Sequence, residues 1–244
     1  MDRSFFISIT AGISIAAACG AWFFVAQMEI GKRVRGPFPV SSLVILLATS
    51  GLTALQFIDS EVLGTLQRNA GDLTDGRIWK LVTPLFVQGD GWTGAIVNTI
   101  AFLMMVPVAE RVYGRRRVLL MYFIPGLIGQ AAGFLWDTPG AGNSVAIAGL
   151  MGGFLALELV HSHRLPRFAW IVAIIGLVAA VLLTLLSDLH GPPILTGALL
   201  GYVLNHLSPM LPHHADTHPA PMPQAADPAP ITSASTSRAT RGTR

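Results

Sequence analysis

Charge is scarce in this chain and cysteine almost absent. Only 12% of its 244 residues are charged while 52% are hydrophobic, a balance too apolar for a domain that must cover its surface in water. A soluble globular protein is thereby excluded, and the chain is placed in a bilayer. A single cysteine, Cys19, rules out an internal disulfide framework. No CxxC or Cys/His spacing suits a metal, so the expectation is a protein with no metal and no cofactor. Lysine is missing from the last two apolar runs, which argues against a retinal-type receptor. An internal repeat and midplane ionisable groups, expected of a transporter, are also missing: the one acid inside an apolar run, Glu158, lies near its end beside His161 and His163. The formal net charge is +3, but the Arg115 to Arg117 cluster is explained as a topology signal, and nucleic-acid binding is unsupported.

What is present is a series of apolar runs, each near the ~20 residues needed to span a hydrocarbon core. They cover Phe5 to Met28, Val40 to Ile58, Thr93 to Val108, Val118 to Trp136, Asn143 to Val160, Phe168 to Leu186 and Pro192 to Leu207. The fold class expected is an all-α polytopic membrane protein with seven spanning helices. Residues 1–39 read as an N-terminal spanning helix with a basic link, 40–207 as the membrane core, and 208–244, rich in Pro, Ala, Ser and Thr, as a disordered tail. Within the core, 59–92 forms a long connection expected to contain short interfacial helices. Basic residues concentrate in alternate connections, at Lys32, Arg33, Arg35, Arg111, Arg115 to Arg117, Arg164, Arg167 and the tail. The positive-inside rule makes that side cytoplasmic, with the N-terminus outside and the C-terminus inside, in the cell membrane.

On this topology the runs beginning near Thr93, Asn143 and Pro192 all enter from the outer side, so Asn98, Ser144 and His190 converge there. Their chemistry suits acyl transfer: an imidazole can take the proton of a serine hydroxyl, and an amide N–H can stabilise the oxyanion that develops. Backbone N–H groups around Gly142, Asn143 and Ser144, at a helix start, can add to the same hole. Each residue also has a plainer reading. Ser144 fits a helix cap, Asn98 a bridge between helices, and His190 a polar loop before Pro192 and Pro193. The pairs Gly129/Gly133, Gly149/Gly153 and Gly197/Gly201 have the small-xxx-small spacing that lets helices approach closely.

An ordered set of motifs carries a resemblance. GRIWKLVTPLF at Gly76 to Phe86 is similar to a GxxWRLxTxxF segment, Asn98 stands at the asparagine of HxxxN, and Glu110 to Gly114 matches an ExxxG turn. Tyr122 to Gly129 matches YxxxGxxG, Gly142 to Gly152 resembles a GxSGxxxGLxG nucleophile helix, and Gly197 and Gly201 belong with HxxGxxxG. In this series, over about Val40 to Leu207, the chain resembles the rhomboid family of intramembrane serine proteases. The resemblance implies a six-helix core, here with one extra N-terminal helix. It further implies a serine–histidine dyad opening to the outer side and substrates that are themselves spanning membrane proteins. Carried over, Ser144 would be the nucleophile and Asn98 an oxyanion donor.

The departures are specific. Val145 replaces the glycine after the nucleophile, Gly94 the histidine four residues before Asn98, and Gln88 a histidine that follows the phenylalanine at Phe86. With Gly197 and Gly201 on the two glycines of HxxGxxxG, the histidine position falls on Ile194, which cannot be a base. A second register puts His190 on the histidine, Pro193 on the first glycine and Gly197 on the second, and leaves Asp188 near enough to orient the imidazole. The registers differ by about 6 Å along a helix. Two readings follow: a protease with Ser144 and His190 as its dyad, or an inactive rhomboid-like protein that binds spanning helices or lipids.

Overall fold

The computed structural model describes residues 3–33, 38–161 and 168–207. The expected tail, and the basic residues Arg35, Arg164 and Arg167 used to orient the chain, lie outside the described residues. Among the described residues the protein is an all-α bundle of eight α-helices. They are α1 (Arg3–Arg33), α2 (Val40–Ile58), α3 (Ser60–Leu66), α4 (Gly91–Tyr113), α5 (Arg115–Leu135), α6 (Ser144–Val160), α7 (Ala169–Leu185) and α8 (Gly191–Leu207). Parts or all of α1, α2, α4 and α5 are long and apolar enough to cross a membrane, and α6 and α7 are shorter apolar helices. Large hydrophobic side chains, Leu, Ile, Val, Phe and Trp, are exposed along them, as a lipid-facing surface requires.

The apolar runs underestimate α4, which continues from Val108 to Tyr113 through Glu110. A charged residue does not stop the helix there because its carboxylate has partners on α2. Glu110 accepts hydrogen bonds from the Ser41 N–H (3.0 Å), the Ser42 N–H (2.7 Å) and the Ser42 hydroxyl (2.6 Å). These amides belong to the first turn of α2, whose N–H groups have no partner within the helix. An anion at that end also complements the helix dipole.

Helix α6 runs through the centre, and every residue from Val145 to Glu158 is buried. It lies parallel to α8 with backbones in contact: a Cβ on Gly197 would overlap the backbone of Gly149, one on Gly152 the carbonyl of Ile194, and one on Gly201 would come within 3.0 Å of Gly153. Gly149 and Gly153 also accommodate α5, through Pro125 and Met121. Gly133 has a different use. The space of its absent side chain is filled by the Arg68 guanidinium and not by another helix. On the far side, α1 packs antiparallel to α7 through small residues, Ala17 against Gly176 and Gly20 against Val172. The Trp22 indole N–H donates to the Met104 carbonyl of α4 (2.9 Å).

The connection 59–92 holds α3 and two short 3₁₀ segments, Ile78–Leu81 and Thr83–Phe86. Three of its charged residues, Arg68, Asp72 and Lys80, are buried. Buried Asp72 lies 3.0 Å from the Arg77 guanidinium and 3.3 Å from the Lys80 ammonium, which in turn donates to the Gln67 carbonyl. Burial pushes the Asp72 carboxyl up, but the Asn69 N–H, Lys80 and Arg77 outweigh it and hold it below its ordinary value. Arg68, 2% exposed, ties this connection to the segment before α6. Its backbone pairs with that of Gly140 in both directions, its Nε donates to the Thr138 carbonyl (2.8 Å) and its Nη1 to Gln130.

Candidate active site

Two loops at the same end of the bundle bring the site together. Both α5 and α7 finish with the same device, in which one residue turns left-handed and the next amides return to the last carbonyls of the helix. At α7 the turning residue is Ser187 (φ 57°), with the Ser187 N–H on the Thr184 carbonyl and the Asp188 N–H on the Leu183 carbonyl. At α5 it is Asp137 (φ 51°), with the Asp137 N–H on Phe134 and the Thr138 N–H on Gly133. The chain then re-enters the bundle as α8 and α6. From Thr138 to Asn143 it is held by Arg68, by the Gly89 N–H on the Ala141 carbonyl (3.1 Å) and by the Gly142 N–H on the Pro84 carbonyl (2.8 Å).

Ser144 is the first residue of α6. Asn143 precedes it as the cap residue, and no side chain caps this helix, so the Ser144 hydroxyl is not used as a cap. Its Oγ lies 3.1 Å from His190 Nε2. The other ring nitrogen, Nδ1, is 3.0 Å from Asp188 Oδ1, and the same carboxylate oxygen accepts the His190 backbone N–H (2.9 Å). A carboxylate can only accept, so Nδ1 carries the proton. Nε2 is then the free acceptor, and the serine hydroxyl donates to it. Burial pushes the Asp188 carboxyl up; the hydrogen bonds from His190 Nδ1 and from its backbone N–H outweigh that and hold it below the usual carboxylate range. All three side chains are half-buried.

Of the two candidate residues, His190 and not Ile194 stands beside Ser144. Ile194 is 2% exposed and its carbonyl faces Gly152, two turns below Ser144. His190 stands just before α8, where the Asp188 turn aims it across the α6 N-terminus. Pro193 is accommodated because Gly129 lies opposite: a Cβ on Gly129 would sit 3.2 Å from Pro193 and 3.0 Å from Val145.

Around Gly142 (φ 150°) a second group gathers. A Cβ there would lie 3.5 Å from Asn98 Nδ2, 3.5 Å from Ser144 Oγ and 3.7 Å from Gln88 Oε1. Asn98 therefore stands over the same backbone corner as the serine. Its amide donates to Gln88 Oε1 (2.7 Å), and Gln88 Nε2 donates to Asn143 Oδ1 (3.2 Å). Gln88 is itself clamped by Gln56 of α2, whose side chain donates to the Gln88 carbonyl (2.8 Å) and accepts its N–H (2.8 Å). In the sequence Gln88 reads only as a lost histidine, and Gln56 and Arg68 do not stand out. No local signal marks either one.

Residues 75–207, more than half of the chain, match the model of the rhomboid domain. The chain belongs to the rhomboid family. It is 29% identical over 139 residues to Bacillus subtilis YdcA, classed by name among rhomboid proteases, covering 55% of this chain and 69% of that protein. It is 35% identical over 96 residues to the rhomboid protease GluP of Bacillus subtilis, covering 39% of this chain and 19% of that one. RHOMBOID-like protein 5 of Arabidopsis thaliana is 28% identical over 153 residues, 58% of this chain and 48% of the relative. The chain thus spans about a fifth of GluP and about half of the plant protein. Ser144, His190, Asn98 and Gln88 all fall inside the matched rhomboid domain; α1 and α2 precede it.

Proposed function

We propose that this rhomboid-family protein is an intramembrane serine endopeptidase that cuts membrane proteins near the outer face of the cell membrane. The observation that carries the reading is the Asp188–His190–Ser144 series, with 3.0 Å and 3.1 Å between successive partners. His190 Nε2 takes the hydroxyl proton as Ser144 Oγ bonds to the scissile carbonyl carbon. The oxyanion formed is met by the Asn98 amide and by backbone N–H groups at the α6 N-terminus. The imidazolium then returns its proton to the leaving amine as the peptide bond breaks, and a water repeats the sequence on the acyl-enzyme. Asp188 holds the tautomer this requires. In this reading α1, α2, α4, α5, α6, α7 and α8 all span, giving a six-helix core preceded by one added helix, with the end that carries Ser144 outside and a cytoplasmic tail.

Two observations favour a second reading, a rhomboid protein that binds spanning helices or lipids without cutting them. Val145, 4% exposed, stands where the family motif has glycine, and Gly94 stands where it has histidine. Labelling of the purified, detergent-solubilised protein with a fluorophosphonate separates the two. Loss of labelling in both Ser144→Ala and His190→Ala, with wild type labelled, is the result expected of the protease. Folded wild type that stays unlabelled would select the second reading.

A further inference from the structure

The family motif supplies histidines around Asn98 that this chain does not have, and a buried amide network lies in their place. Gln88 is 2% exposed and Gln56 6% exposed, and every donor and acceptor of the Gln56 to Gln88 contact that the backbone of residue 88 offers is used. A pairing of this kind, two hydrogen bonds between one side-chain amide and one backbone residue, fixes the backbone at 88 in both position and direction. The Gln88 side chain is then committed at both ends, its oxygen to Asn98 Nδ2 and its nitrogen to Asn143 Oδ1.

The consequence is for Asn98. An unrestrained asparagine amide can present either its oxygen or its nitrogen to a neighbour, and only the nitrogen can stabilise an oxyanion. Because Gln88 Oε1 only accepts, it selects the orientation in which Asn98 Nδ2 points towards Gly142. One Nδ2 hydrogen serves Gln88 and the second is left for the corner shared with Ser144 Oγ. Gln88 Nε2 meanwhile holds Asn143, the residue that leads into α6, so the donor and the nucleophile are registered on one side chain. We propose that Gln88, clamped by Gln56, is a positioning residue that holds Asn98 as the oxyanion donor. This deepens the protease reading and rests on it.

The test is the second-order rate of fluorophosphonate labelling of the full chain. Removing one oxyanion donor outright typically costs 10²–10³ in rate, so loss of its positioning should take a part of that, roughly 10-fold or more. Gln88→Leu is expected to slow labelling by about that factor. Gln88→His, which again offers Asn98 an acceptor, should restore most of it. In an Asn98→Ala background Gln88→Leu should cost less than about 2-fold further, because there is no donor left to position. A merely structural role would not produce that dependence on Asn98. Should Gln88→Leu fail to fold, Gln88→His, which keeps an acceptor for Asn98, must still label faster than Asn98→Ala. Equal slowing by Gln88→Leu with and without Asn98, or no slowing in a folded variant, overturns the inference and leaves the dyad intact. Wild type that does not label overturns both.

Discussion

Replacing Asp188 separates the geometry of the His190–Ser144 pair from the charge beside it. One carboxylate oxygen makes two contacts, with the His190 N–H at 2.9 Å and with His190 Nδ1 at 3.0 Å. Asparagine can present an oxygen to both groups, so Asp188→Asn keeps the shape and removes the charge. Alanine removes both. A hydrogen bond to a charged group contributes about 1.5–3 kcal/mol against about 0.5–1.5 for a neutral one, and the difference, about 1–1.5 kcal/mol, corresponds to roughly 5–13-fold in rate. The His190 side chain is 42% exposed and water screens part of this, so Asp188→Asn should slow fluorophosphonate labelling about 5-fold, the low end of that range. Asp188→Ala, which also frees the imidazole to rotate and exchange tautomers, should slow it by roughly 10–100-fold. Loss of the backbone contact adds a stability cost of about 1 kcal/mol, the usual worth of a capping oxygen, visible as a lower midpoint in thermal unfolding. The sign of the pH effect follows from the depressed carboxyl. Stabilisation by Asp188 is fully present above the ordinary carboxylate value of about 3.9 and is lost as pH falls through its lower folded value. Wild type and Asp188→Ala should therefore differ in midpoint at pH 6 and converge only in strong acid. Labelling of folded Asp188→Ala at the wild-type rate would refute the assignment of Asp188 as the group that orients His190.

Three further outcomes are expected. Gly142→Ala places a methyl group 3.5 Å from both Asn98 Nδ2 and Ser144 Oγ in a backbone conformation with φ 150°; labelling should fall at least about 10-fold while the protein still elutes as a folded monodisperse peak. Gly197→Leu drives a side chain into the Gly149 backbone, and because backbone cannot rotate away, the cost should exceed the usual ~1–3 kcal/mol of overpacking, read as aggregation or loss of the folded species on gel filtration. Arg68→Met removes the guanidinium that joins Thr138 and Gln130, leaving the buried Gln130 acceptor without it; a destabilisation of about 1–3 kcal/mol is expected, with a lower thermal midpoint and slower labelling, since the same arginine holds the segment leading into Ser144.

The helices were largely legible in the sequence because hydrocarbon imposes so strong a rule on the chain. An apolar run must close its own hydrogen bonds as a helix, and α2 falls on the run from Val40 to Ile58 to the residue. The ends were less legible. Glu110 looks like a terminator until α2 is seen to supply three donors to it, and that pairing joins residues 68 or 69 apart. Gly133 reads as helix packing by spacing alone, yet its space belongs to Arg68 from a distant loop.

At the site, the residue types and their side of the bundle were already determined by the sequence. Ser144, His190 and Asn98 each stand at the entrance of a run that enters from the same side, a consequence of alternating topology that needs no coordinates. Tertiary structure decided the rest, because it depends on distances between segments that the order of residues does not encode. Whether His190 or Ile194 faces the serine turned on the Asp188 turn and on Gly129 making room for Pro193. The setting of Asn98 turned on Gln56 and Gln88, 32 residues apart and ordinary in sequence. Spacing in a chain specifies neighbours one helical turn away; contacts between helices are set by how closely their glycine faces let them pack, and that is a property of the folded bundle.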